Sequence, residues 1–240
     1  MEQLKNILFI DIETVPCVPE FSLLKDSLQA EWVKKAKYVK SPVEKPLDPA
    51  ELFVERGGIF SEFSKVVCIV VGSLVQQEGA WKLRLKSLVH DDETQLLNNF
   101  CDVLARFRRN FPDLRFCGHN IKEFDIPFLC RRMIINGVPL PDCMQLSGKK
   151  PWEINHLDTL ELWRFGDYKH FTSLALLAAV LDIPSPKNDL DGSMVGSVYW
   201  KDKDLERIGR YCIQDVLTTA KVFLKLKGET IAPEPIIVTD

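Results

Sequence analysis

In Asn6-Ile7-Leu8-Phe9-Ile10 the chain sets an unbroken apolar run, Ile7 to Ile10, directly before Asp11-Ile12-Glu13. An apolar run of strand length without polar alternation reads as a strand covered on both faces. It therefore belongs in a sheet with helices on either side. Side chains alternate across a strand, so Asp11 and Glu13 project from one face. Two carboxylates side by side at the margin of a core repel each other, and burial raises their cost. A divalent cation removes both problems, because oxygen-rich clusters suit Mg²⁺ and Mn²⁺. The plainer reading of Asp-x-Glu is a frayed, solvated strand end.

The rest of the pattern supports a layered fold. Lys65 to Val75 and Lys82 to Val89 read as second and third strands. Asp91-Asp92 offers an N-cap for an amphipathic helix carrying Leu96, Leu97, Phe100, Val103, Leu104 and Phe107 on one face. Leu114 to Gly118 is a fourth short strand, Ile126 to Ile135 a helix, and Ile154 to Leu157 enters a fifth strand. Thr172-Ser173 caps another helix, and the last long helix runs from about Asp204 to Leu226. The expectation is one domain over residues 1–240, a mixed α/β sheet of five strands flanked by helices. Residues 18–63 form a polar insertion, with one helix around Ser22 to Tyr38 and then a loop punctuated by Pro42, Pro46 and Pro49.

Composition narrows the function classes. With 46% hydrophobic and 27% charged residues, the 240-residue chain can bury a sizeable core, so disorder is excluded as its dominant state. The net charge of −3 means that any nucleic-acid contact must come from a local basic surface. No apolar run approaches the length of a membrane helix, and the opening Met1-Glu2-Gln3-Leu4-Lys5-Asn6 lacks signal-peptide architecture. Seven scattered cysteines with no Cys-x-x-Cys pair point to a reducing, cytoplasmic compartment.

Two further acidic positions break the apolar pattern. Gly118-His119-Asn120 ends the fourth strand and Phe124-Asp125 opens a helix. Alone, Asp125 would be a cap, and His119 a hydrogen-bonded structural residue. In Tyr211-Cys212-Ile213-Gln214-Asp215, the phenol and the carboxylate lie four residues apart on one helical face, beside the apolar stripe.

In this order, the three motifs resemble the DEDD 3′–5′ exonuclease superfamily, with its RNase H-like, DnaQ-like fold, in the tyrosine-bearing branch. The histidine-bearing branch would place His where this chain has Arg210. The surrounding text, Phe9-Ile10-Asp11-Ile12-Glu13-Thr14, His156-Leu157-Asp158-Thr159 and Asp191-Gly192-Ser193, is similar to stand-alone proteins related to the exonuclease domain of family B DNA polymerases. The resemblance covers most of the chain and is weak only over the insertion. It implies two ions, Mg²⁺ or Mn²⁺, with Asp11 bridging both, Glu13 and Asp215 on the first, and Asp125 on the second. Tyr211 would orient the attacking water, because a phenol with a pKa near 10 is a poor base at neutral pH. Asn120 and Thr14 are the candidate substrate-binding residues. The implied partner is nucleic acid with a free 3′ end, single-stranded DNA being favoured. An RNA-trimming exoribonuclease and a non-catalytic nucleic-acid-binding module are the alternatives.

Asp158 is read as a helix cap in Asp158-Thr159-Leu160-Glu161, not as a fifth ligand. Lys34-Lys35-Ala36-Lys37, Arg106 to Arg109, Lys149-Lys150-Pro151-Trp152, and the pair Arg207 and Arg210 are the basic clusters that could track a phosphate backbone.

Overall fold

The computed structural model describes residues 4–42, 44, 46–184 and 190–238. The first strand, β1 (Ile7–Pro16), continues past the apolar run and carries both Asp11 and Glu13 within the sheet. It is followed by helices α1 (Asp26–Ala36) and α2 (Pro49–Arg56), then by β2 (Ser64–Gln77) and β3 (Ala80–Val89). Helix α3 (Glu93–Asn110), β4 (Arg115–Gly118) and α4 (Asp125–Ile135) come next. The chain continues through β5 (Leu157–Asp158), α5 (Thr159–Arg164), α6 (Leu174–Val180) and α7 (Val195–Ser197) to α8 (Leu205–Leu226) and β6 (Glu234–Val238).

The sheet has six strands in the order β5-β4-β1-β2-β3-β6, one more than the five expected. The extra strand, β6, runs parallel to β3 at the sheet's edge, with Leu83 opposite Pro235. A proline-bearing run of five residues has no strand signal of its own. Only the free edge of β3 makes it one. The parallel partners β4 and β1, and the antiparallel trio β1, β2 and β3, match the expected mixed sheet.

Alternation along β1 sorts the core. Phe9 joins Val67, Val70, Leu83, Leu85 and the α8 residues Val216 and Phe223 on one face. Leu8 and Ile10 join Ile69, Leu97, Phe100 and Phe128 on the other, under α3 and α4. Asp11 and Glu13 share the parity of Phe9, so both turn toward α8.

The insertion builds a small core of its own around Trp32, Phe53 and Phe63. It contains a second helix where a proline-punctuated loop was expected. Pro49 is the first residue of α2, and Asp48 caps it reciprocally with Glu51. Proline at that position costs no hydrogen bond and presets the helical φ, so here it starts a helix instead of preventing one.

Candidate active site

β4 stops early, and that opens the site. Phe9 pairs with Cys117, so the last β4 residue, Gly118, lies beside Ile10 and nothing in β4 reaches Asp11. A Cβ at Gly118 would stand 1.9 Å from Ile121 Cγ2 and 2.8 Å from the Ile10 carbonyl, so only glycine fits there. The chain then turns through Asn120 in the left-handed region (φ 66°), a conformation asparagine tolerates well.

That turn delivers Asp125 to β1. Asp125 is the first residue of α4, with Phe124 at the cap position, so it does not cap the helix. Its Oδ1 accepts the Ile12 backbone N–H at 3.2 Å instead. The turn itself is clamped by Asp158, whose Oδ1 accepts from Asn120 N and Leu160 N, both at 2.9 Å, and whose Oδ2 accepts from Lys122 N at 3.1 Å. Asp158 therefore caps α5, as expected, and also staples two loops; its oxygens are committed to backbone donors. His119 is structural, bridging Thr159 Oγ1 and the Thr172 carbonyl, each at 2.9 Å.

Helix α8 supplies the opposite wall. Cys212 donates its thiol to Asp11 Oδ2 at 3.1 Å and approaches the Asp11 carbonyl at 3.4 Å. Donor atoms of Asp11, Glu13 and Cys212 lie within 4.8 Å of one another, with Asp11 half-buried and the other two buried. Asp125 and Asp215 fall outside that grouping but act on Asp11 electrostatically. Tyr211 lies against Asp215 and lowers its pKa through a hydrogen bond. In sequence Cys212 falls among the apolar residues of the helix, with Ile208, Val216 and Phe223, a position that by itself signals core packing. Its position three residues before Asp215 was the signal that it shares the site's side of the helix.

The electrostatics are those of an uncompensated acidic cluster. Burial pushes Asp11 well above the usual carboxylate range, with Asp125 and Asp215 adding to it. Burial does the same to Glu13, followed by repulsion from Asp11. Asp125 is pushed up to about 7 and Asp215 to about 6, burial being the main cause in both. No lysine or arginine is among the dominant influences on any of the four. Burial also raises Tyr211, with Asp215 and Glu13 next, so it stays a neutral phenol at neutral pH. Cys212 is raised well above the ordinary thiol value, chiefly by burial, and serves as a donor to Asp11 instead of a thiolate ligand. Buried carboxylates without a basic partner fit a divalent cation with oxygen ligands.

The other two candidates are placed differently. Thr14 spends its hydroxyl on the Gly58 carbonyl at 2.8 Å, so it ties β1 to the insertion. Asn120 anchors the turn through its backbone. Lys150 lies 5.2 Å from the Trp152 ring centroid, but that loop leads into the N-terminal end of β5, and the carboxylates gather past the C-terminal end of β4.

Over residues 60–230 the sequence matches the family of predicted 3′–5′ exonucleases related to the exonuclease domain of PolB. The chain belongs to that family. The matched span contains Asp125, Tyr211 and Asp215; Asp11 and Glu13 precede it. Among solved structures, the family B DNA polymerase from the hyperthermophilic archaeon Pyrobaculum calidifontis matches with a TM-score of 0.53 and 18% identity. The match covers 92% of this chain and 24% of the polymerase chain, so the likeness is one of fold and spans about a quarter of that enzyme. Comparison with curated proteins returns no match. Among the described residues, no helix is long and apolar enough to cross a membrane.

Proposed function

We propose that this exonuclease-family chain is one catalytic domain over residues 1–240 that removes nucleotides singly from the 3′ end of single-stranded DNA, releasing nucleoside 5′-monophosphates. The observation that carries the reading is the group of four carboxylates, Asp11, Glu13, Asp125 and Asp215, raised by burial with no lysine or arginine among the main influences on them in the described residues.

Asp11, Glu13 and Asp215 would hold one Mg²⁺ or Mn²⁺ ion, and Asp11 with Asp125 a second. Bound there, the pair of ions would lower the pKa of a water and neutralise the 3′ oxygen that leaves. The chain's own residues do the rest. Cys212 keeps the Asp11 carboxylate turned inward through its thiol contact. Asp125 is held against β1 by the Ile12 N–H, which points it into the cluster. Tyr211, held as a phenol, orients the attacking water and removes no proton from it. The seven free cysteines are in keeping with a reducing, cytoplasmic setting.

The test is turnover of an oligonucleotide carrying a 5′ label, with Mn²⁺, by wild type, Asp11→Ala and Asp215→Ala. A ladder shortening from the 3′ end in wild type, lost in both variants, is expected. Binding without shortening would identify a non-catalytic module, and equal turnover in the variants would remove these carboxylates from the reaction.

A further inference from the structure

The insertion borders the carboxylate cluster. A cleft of about 330 Å³ opens beside Glu13 and Thr14, and the insertion closes its far side with Glu55, Arg56, Gly58 and Ile59. The junction is tight. Besides the Thr14 to Gly58 hydrogen bond, a Cβ at Gly58 would meet the Thr14 carbonyl at 3.3 Å. A second cavity of about 390 Å³ lies further out, with Lys35, Tyr38, Lys40, Arg56, Ile59 and Phe60 in its wall. The two cavities share Arg56 and Ile59 in their walls, so they adjoin across these residues.

Charge changes sign from the cleft to the outer cavity. The cleft carries Glu13 and Glu55, the outer wall carries Lys35 and Lys40 with no acidic side chain, and Arg56 lines both. Among the described residues, none of Lys35, Lys40 and Arg56 forms an ion pair. Arg56 Nε is buried and has no hydrogen-bond partner. Lys35 Nζ instead lies 4.3 Å from the Phe60 ring centroid, and Tyr38 stands 89% exposed beside it. An uncompensated row of cations interleaved with aromatic rings is the surface a single strand uses, phosphates on the cations and bases on the rings. It also starts where the proposed 3′ end lies.

We propose that Lys35, Lys40 and Arg56, with Tyr38, form the track that holds single-stranded DNA on the 5′ side of the scissile bond. This rests on the exonuclease reading. It gives the insertion a role in substrate capture, and of the Lys34–Lys37 cluster it assigns Lys35 to the substrate, Lys34 being paired with Glu31.

The experiment measures degradation of a 20-nucleotide single strand and of a tetranucleotide by wild type and the triple variant Lys35→Ala, Lys40→Ala, Arg56→Ala. The KM for the long strand should rise at least tenfold with kcat within twofold, and the loss in kcat/KM should be smaller for the tetranucleotide. Three lost phosphate contacts should make the dependence of log kcat/KM on log salt shallower by about 2. Tyr38→Ala should raise KM with the salt slope unchanged, because stacking releases no counterions. Lys225→Ala, on the far end of α8, is the control. An unchanged slope and KM in the triple variant would overturn the track. So would an equal loss on the tetranucleotide, an equal effect of Lys225→Ala, or a loss confined to a matched RNA strand. If wild type shortens no strand, the exonuclease reading fails instead. Gel-shift binding of the same 20-nucleotide strand to wild type and triple variant then decides the track separately.

Discussion

Asp125→Asn should stabilise the metal-free protein, and by an amount that depends on pH. Asp125 is 4% exposed, and its pKa stands at about 7 against an ordinary 3.8. A carboxyl raised in the native state contributes stability in full below 3.8, and that contribution is lost as pH rises through 7. The displacement corresponds to about 4 kcal/mol at pH 8. Asparagine keeps the shape, and its oxygen still accepts the Ile12 N–H, so the penalty is removed without opening a cavity. In EDTA at pH 8 the variant should therefore gain about 4 kcal/mol, or about 10 °C in melting temperature for a chain of this length. At pH 4, where native Asp125 is protonated, the gain should fall below about 1 kcal/mol. The assay is thermal melting followed by circular dichroism from pH 4 to 8, in EDTA and again with Mg²⁺. Wild type should itself melt lower as pH rises in EDTA, and Mg²⁺ should narrow the gap between the two proteins. A variant that melts at or below wild type at pH 8 in EDTA would refute the argument, as would a gain independent of pH.

Asp158→Asn should cost about 1–3 kcal/mol, since an amide oxygen cannot replace both accepting oxygens, which serve three backbone donors. It should nonetheless keep the full metal-induced stabilisation, about 1.4 kcal/mol at ten times the dissociation constant; loss of that shift on calorimetry would make Asp158 a ligand. Tyr211→Phe should slow cleavage less than Asp215→Ala does, because only water orientation is lost; a wild-type rate would take the phenol out of the reaction. Ca²⁺ should support oligonucleotide binding but little cleavage, its looser coordination misplacing the reacting groups. Equal initial rates in Ca²⁺ and Mg²⁺ would contradict a geometry-demanding site.

Local periodicity carried much of this protein. Alternation along β1 already put Asp11 and Glu13 on one face, and the spacing of four in α8 put Tyr211 beside Asp215. Asp158 was legible as a cap, because capping is a relation between near neighbours in sequence. Helix α2 was hidden because Pro42, Pro46 and Pro49 look alike as residues, and only Pro49 follows a capping aspartate by one position.

What the tertiary structure alone decided involves residues far apart in the chain. The Ile12 to Asp125 bond joins positions 113 apart, and the Cys212 to Asp11 contact joins positions 201 apart. No short-range pattern reports whether a thiol on an apolar stripe will meet a carboxylate or another methyl group. β6 likewise exists because β3 has an unpaired edge, a property of the sheet and not of Glu234–Val238. That the cavity of Lys35 and Lys40 adjoins the cleft of Glu13 depends on where the insertion docks, which the Thr14 to Gly58 contact fixes. Periodicity sets which face a side chain takes, while burial, with the raised pKa values it brings, depends on which distant segment arrives to cover that face.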